Sequence, residues 1–327
     1  MRPFRIEIPD SDIADLKARL AHTRWPNEPL GNEHWDWGTN LSYMRRLVAY
    51  WRDEYDWRAA EARLNRFPQF IAEIAGANGE RHKIHFVHER GSGEGPLPLI
   101  LTHGWPSTFR EVLDVVERLA HPERFGGKAE DGFDVIVPSL LGYGFSSRPQ
   151  LPVGPAVIAE LWHALMHDVL GYSRFAAAGG DFGSTVARLL ALRHPEQMIG
   201  IHLTDIGYFG DPAFTSDLGN LSQAEHGHLG ATQGWFYQEG AYTMIQSTKP
   251  QTLAYGLTDS PVGMAAWMIE KFRSWSDCDG DVEKRFSKDE LLTNVMIYWV
   301  TDTFNSSIRT YYENGHTQSQ LQPGQHI

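Results

Sequence analysis

The pentapeptide GGDFG at 179–183 sets one carboxylate, Asp181, among small residues, after the apolar run FAAAGG and before a helical stretch that runs to about His194. Small-small-nucleophile-x-small at a strand-to-helix junction is the pattern of a nucleophile elbow, here in its aspartate form. The nucleophile of such a turn sits on strained backbone, and flanking residues with a Cβ would collide with the neighbouring chain. An exposed aspartate with a pKa near 4 is ionised at neutral pH and attacks carbon without help from a base. Upstream, HGWP at 103–106 closes the strand PLILT. That is where a second main-chain N–H donor is expected, so the N–H groups of Trp105 and Phe182 should converge on one oxygen of the Asp181 carboxylate. Losing one such donor costs about 3 to 4 kcal/mol in hydrolases. His103, taken alone, reads as structural. The loop PSLLGYGFS at 138–146 fits a further strand-end turn beside the same site.

These residues need a scaffold that brings strand ends together. Short strands are expected at 84–88, 98–104, 133–139, 175–180 and 200–205, with helices at about 109–120, 155–170 and 184–194 between the later ones. Alternation of this kind predicts an α/β fold, a mostly parallel sheet covered on both faces, with its chemistry at the carboxyl ends of the strands. Before it, a helix at 11–22 capped by Ser11 or Asp12 and another at 41–54 belong to an aromatic-rich wrapping segment over 1–75. The core should run over 76–206. After residue 206 a glycine-rich connection leads to helices near 261–275 and 288–312, which predicts a helical cap over 207–313, followed by a divergent tail at 314–327.

Composition narrows the function. With 41 acidic against 29 basic residues the net charge is -12, and no Lys/Arg block tracks phosphates, which argues against a nucleic-acid partner. The single cysteine, Cys278, permits no internal disulfide and no thiolate metal cluster; Asp277 and Asp279 beside it disfavour a thiolate. Neither a metal nor a cofactor is expected. The opening MRPFRIEIPD lacks the apolar stretch of a leader or a membrane anchor, so a cytoplasmic protein is expected. The 11 tryptophans and 12 tyrosines supply flat apolar surface suited to a hydrophobic small molecule. A homo-oligomer remains open.

GGDFG, HGWP and GYGFS in this order resemble the epoxide hydrolases of the microsomal type, members of the α/β-hydrolase superfamily. The stretches RPFRIEIPDSDIADLKARLAHTRWP, SYMRRLVAYWRDEYDWRAAEARLNRFPQF, IQSTKPQTLAYGLTDSPVGMAAWMIEKF and LLTNVMIYWVTDTFNSSIRTYYEN extend the resemblance along nearly the whole chain. It implies that Asp181 opens an epoxide to an alkyl-enzyme ester while two cap tyrosines, Tyr242 and Tyr311, hold and protonate the epoxide oxygen. It also implies a second half-reaction in which a histidine held by an acid activates water. In the family both lie beyond the cap, whereas this sequence leaves the pattern after Asn314. The expectation is therefore a chain with missing C-terminal core strands and impaired turnover, for which Asp205, His316 and His326 are the substitutes to inspect. The alternatives are a haloalkane dehalogenase-like hydrolase using the same aspartate and a non-catalytic protein that binds hydrophobic ligands.

Overall fold

A computed structural model describes residues 1–76, 79–151, 153–205 and 221–316. The elements in chain order are β1 (Arg2–Phe4), α1 (Asp10–Ala21), α2 (Leu41–Asp53), α3 (Trp57–Leu64), β2 (Gln69–Ala75), β3 (Arg81–Glu89), β4 (Leu97–Thr102), α4 (Leu113–Ala120), β5 (Phe133–Pro138), α5 (Pro155–Ala164), β6 (Phe175–Gly179), α6 (Phe182–Arg193) and β7 (Met198–Leu203). Six helices follow: α7 (Gln223–Glu239), α8 (Ala241–Thr248), α9 (Pro250–Asp259), α10 (Pro261–Ser274), α11 (Lys288–Thr301) and α12 (Phe304–His316).

One sheet has the strand order β1-β2-β3-β5-β4-β6-β7. The pairs β4/β5, β4/β6 and β6/β7 are parallel, whereas β1/β2, β2/β3 and β3/β5 are antiparallel. The expected mostly parallel sheet is thus parallel only in its site-bearing half. The other half includes β1 and β2, from the segment read as mere wrapping. Their signal is weak in sequence because β1 is three residues long and β2 carries Gln69 and Glu73 among its apolar residues. β5 is buried along almost its whole length, as a strand covered on both faces must be. α6 packs on β4, β6 and β7, while α4 lies against β3 and β5.

From β4 the chain continues to β5 on one side, and from β6 to β7 on the other. The turns after the adjacent strands β4 and β6 therefore leave in opposite directions and open a crevice at their carboxyl ends, the place where ligands bind in such sheets. HGWP and GGDFG occupy those two turns.

The N-terminal helices clasp the later ones. The Thr39 hydroxyl donates to the Ala266 carbonyl of α10 at 2.9 Å, and the Tyr50 hydroxyl to Asp289 of α11 at 2.7 Å. α1 starts after Pro9, so Ser11 and Asp12 fall inside its first turn and do not cap it; α2 is capped by Asn40. The helix expected over 288–312 is two, broken where Asp302 takes a left-handed conformation (φ 52°). A capping box of Ser287 and Glu290 starts the first of them. Three helices, α7 to α9, occupy 223–259, where a glycine-rich connection was expected. Gly227, Gly230 and Gly234 lie within α7, held there by the Ser222–Glu225 capping box at its start. α12 continues to His316, past the boundary expected at 313. No helix among the described residues is long and apolar enough to cross a membrane.

Candidate active site

Asp181 closes β6 and caps α6 with φ 53° and ψ -123°, a conformation L-residues rarely take. Two close approaches explain the glycines around it. A Cβ on Gly183 would lie 2.2 Å from the Thr102 carbonyl oxygen, and one on Gly104 would lie 2.4 Å from the Asp181 Cβ. The two turns can therefore touch only where one of them is bare backbone.

That contact delivers the expected donors. The Trp105 N–H donates to Asp181 Oδ1 at 3.0 Å, and the Phe182 N–H also hydrogen-bonds the carboxylate. Asp205 enters from below: its Oδ2 accepts the Asp181 main-chain N–H at 2.7 Å and the Ser184 hydroxyl at 3.2 Å. Asp181 itself keeps a solvent-accessible flank. Even so, the crowding of protein around its carboxyl raises the pKa to about 6, against the two N–H bonds that lower it and with a contribution from the Asp205 charge. The ordinary value near 4 expected from sequence is corrected upward, because neighbours distant in sequence displace water from the carboxylate.

An aromatic wall stands over this turn. Trp105 stacks on Tyr242 with ring centroids 5.4 Å apart and planes 7° from parallel. The Tyr311 ring meets Trp105, Phe182 and Tyr242 edge-on at 5.7, 4.8 and 5.8 Å. Burial, and then the nearby Tyr242 and Asp181, push the Tyr311 phenol well above its ordinary pKa, so it stands protonated, as a donor must. The N–H groups of Trp105 and Phe182 thus meet the Asp181 carboxylate, and the rings packed on Trp105 are those of Tyr242 and Tyr311. The loop GYGFS holds the last of them in place. The Ser306 hydroxyl donates to the Gly142 carbonyl at 2.5 Å, the Gly144 N–H to the Thr303 hydroxyl at 3.2 Å, and the Tyr143 hydroxyl to the Ser307 carbonyl at 3.2 Å, which fixes the start of α12.

His103 is buried, with Nδ1 donating to the Gly104 carbonyl at 3.0 Å and Nε2 accepting the Leu140 N–H at 3.1 Å. Burial lowers its pKa to about 4, and its role is to hold two loops. His316 is exposed on α12, with Nδ1 donating to the Tyr312 carbonyl at 2.6 Å. His326 lies outside the described residues. Cys278 is buried.

A cavity of about 450 Å³ reaches Asp181 between the Trp105 loop and α10–α11, with Phe272, Trp275, Phe286 and Leu291 among its apolar lining and Lys271 at its wall. A second, of about 280 Å³, meets Asp181 from the strand ends beside His202 and Asp205. Trp275 and Lys271, missed in the sequence, pack on Tyr242: the Trp275 ring lies at 5.0 Å and the Lys271 ammonium at 5.3 Å. Nothing local in KFRSW distinguishes them from ordinary helix residues.

Residues 1–112 match the family model described as the epoxide hydrolase N terminus, and residues 98–297 that of the alpha/beta hydrolase fold. The chain is 45% identical over 313 residues to a protein of Stigmatella aurantiaca, spanning 95% of this chain and 69% of that one. It is 36% identical over 337 residues to Epoxide hydrolase 1 of Sus scrofa, spanning 96% and 72%. The structure of Aspergillus niger epoxide hydrolase superposes with a TM-score of 0.82 at 31% identity, covering 95% of this chain and 78% of that one. These likenesses favour epoxide hydrolysis over the dehalogenase alternative, and the chain belongs to the epoxide hydrolase family of α/β-hydrolases.

Proposed function

We propose that this epoxide hydrolase works through an ester on Asp181. The observation that carries the reading is the 3.0 Å bond from the Trp105 N–H to Oδ1, made beneath the rings of Tyr242 and Tyr311. With Oδ1 held, Oδ2 attacks an epoxide carbon. The carbon–oxygen bond of the ring breaks, and the departing oxygen takes a proton from Tyr311 or Tyr242. Oδ1 becomes the ester carbonyl, already placed against the Trp105 N–H that, with the Phe182 N–H on the same carboxyl group, stabilises the oxyanion when water attacks. His103, with both ring nitrogens engaged, takes no part in ester breakdown in this reading.

The apolar lining of the larger cavity supports a hydrophobic epoxide as substrate. In this reading residues 1–75 wrap the core and also lend it β1 and β2, the strands and helices from β3 to β7 are the catalytic core, and the helices from α7 onward are the cap. A lone buried cysteine, needing no disulfide, suits residence in the cytoplasm, to be checked by fractionation. Rapid quenching with a styrene oxide and intact-protein mass spectrometry tests the chemistry. One adduct per chain, located at Asp181 and lost in Asp181→Asn, is expected. An adduct that persists in that variant, or ligand binding with no adduct and no diol, overturns the assignment.

A further inference from the structure

Lys271 of α10 is buried at the wall of the cavity that reaches Asp181. An ammonium taken out of water is costly unless it is paired. Two carboxylates pair this one: Glu270 Oε2 at 2.7 Å and Glu239 Oε2 at 3.1 Å, the latter also accepting the Ser274 hydroxyl at 3.1 Å. Those partners account for the burial of the charge. They do not account for its place over two aromatic rings, Tyr242 at 5.3 Å and Trp275 at 5.5 Å. Both distances lie inside the range, up to about 6 Å, over which a ring face attracts a cation. Parallel to Tyr242 lies Trp105, whose N–H binds Asp181 Oδ1. Lys271, Tyr242, Trp105 and Asp181 thus form one continuous line of contacts. Tyr311 is surrounded differently: its ring meets Trp105, Phe182 and Tyr242 edge-on, and no cation lies over it among the described residues.

We propose that Lys271 is a positioning residue for ring opening that acts through Tyr242, holding its ring and offsetting the negative charge the ring takes up when its hydroxyl gives its proton to the departing oxygen. The inference rests on the tyrosine role given above and adds a cation that supports one of the two phenols.

The chemistry requires a contact that grows during the step. Oδ2 bonds to the epoxide carbon as the ring carbon–oxygen bond breaks. The electron pair of that bond goes to the oxygen, and the phenol proton follows it. What remains of the phenol is a tyrosinate, its charge spread over the oxygen and the ring carbons. A neutral ring already attracts the ammonium, and a tyrosinate attracts it more strongly. The gain therefore falls on the transition state and not on the bound substrate, so it raises rate with little change in affinity. Glu239 and Glu270 take up part of the ammonium's field, which keeps the expected gain to about tenfold, below the usual range of a general acid itself.

Single-turnover adduct formation with a styrene oxide, followed by mass spectrometry, tests the role. Lys271→Met keeps the apolar stem and removes the charge. Ring opening should slow about tenfold, while affinity read by stopped-flow tryptophan fluorescence stays within about twofold. Lys271→Arg puts a cation back over the rings and should recover most of the rate. A double-mutant cycle identifies the route. In a Tyr242→Phe background Lys271→Met should cost less than about twofold, because no tyrosinate is left to support; in a Tyr311→Phe background the tenfold effect should persist. A merely structural role would slow both backgrounds alike. Should Lys271→Met fail to fold once Glu239 and Glu270 lose their cation, Lys271→Gln, whose amide still donates to them, serves with the same expectations. Lys271→Met at the parent rate, or an undiminished loss in the Tyr242→Phe background, overturns the role of Lys271 and leaves the Asp181 ester standing. Tyr242→Phe at the parent rate removes the role of Tyr242 itself, and the inference with it.

Discussion

Asp205 Oδ2 lies 2.7 Å from the main-chain nitrogen of Asp181, so the acid at the end of β7 braces the backbone of the nucleophile. In doing so it brings a negative charge that raises the Asp181 pKa. Bracing and charge can be separated. Asp205→Asn keeps an oxygen to accept the N–H but removes the charge, and should move the acid midpoint of ring opening below that of the parent. Asp205→Ala removes both and should cost about 1 kcal/mol of stability, the usual worth of such a bond. Denaturant melts and single-turnover rates against pH check the pair.

Ring opening should depend on pH through Asp181 itself. Only the ionised carboxylate attacks, and its pKa is raised to about 6. The adduct-forming rate should therefore be level above pH 7, half-maximal near 6, and fall about tenfold per unit below 5. A midpoint near 4 would show that the carboxylate is fully hydrated in solution.

Tyr311→Phe keeps the ring that contacts Trp105 and Phe182 but removes the hydroxyl. Proton donation is felt mainly in the transition state, so ring opening should slow by about 100-fold while binding changes little. Stopped-flow tryptophan fluorescence separates binding from chemistry. Alkylation at the parent rate would reduce Tyr311 to a packing residue.

Gly104→Ala would push a methyl to within 2.4 Å of the Asp181 Cβ, and both turns are backbone that cannot swing aside. About 1 to 3 kcal/mol of stability should be lost, as in other overpacked sites, together with adduct formation. A folded variant that alkylates normally would mean that the two turns stand farther apart than described.

Acid stability should reflect the buried histidines. Burial lowers His85 to about 3 and His103 to about 4, below the unfolded value near 6.5. The unfolded chain therefore binds protons that the native chain refuses, and stability, complete above pH 6.5, falls as pH drops toward 4. Each of the two withdraws roughly 3 kcal/mol by pH 4. Denaturant melts between pH 7 and 4 measure the slope, and a flat profile would place these rings in contact with water.

Local chemistry made much of this protein legible in its sequence. GGDFG marks a strained turn because only glycine fits beside it, the periodicity of 84–205 marks strands and helices, and the identity of Asp181 follows from the turn it occupies. What depended on distant neighbours was hidden. The antiparallel half of the sheet was missed because β1 and β2 are short or polar and become strands only by pairing with each other and with β3. The helix α7 carries three glycines that argue against it locally. The raised pKa of Asp181, the bracing role of Asp205, and the presence of Lys271 and Trp275 in the cavity that reaches Asp181 were decided by tertiary structure alone. Hydration and charge depend on which surfaces meet in space, and Asp181 and Asp205 meet only after the strands have aligned their ends.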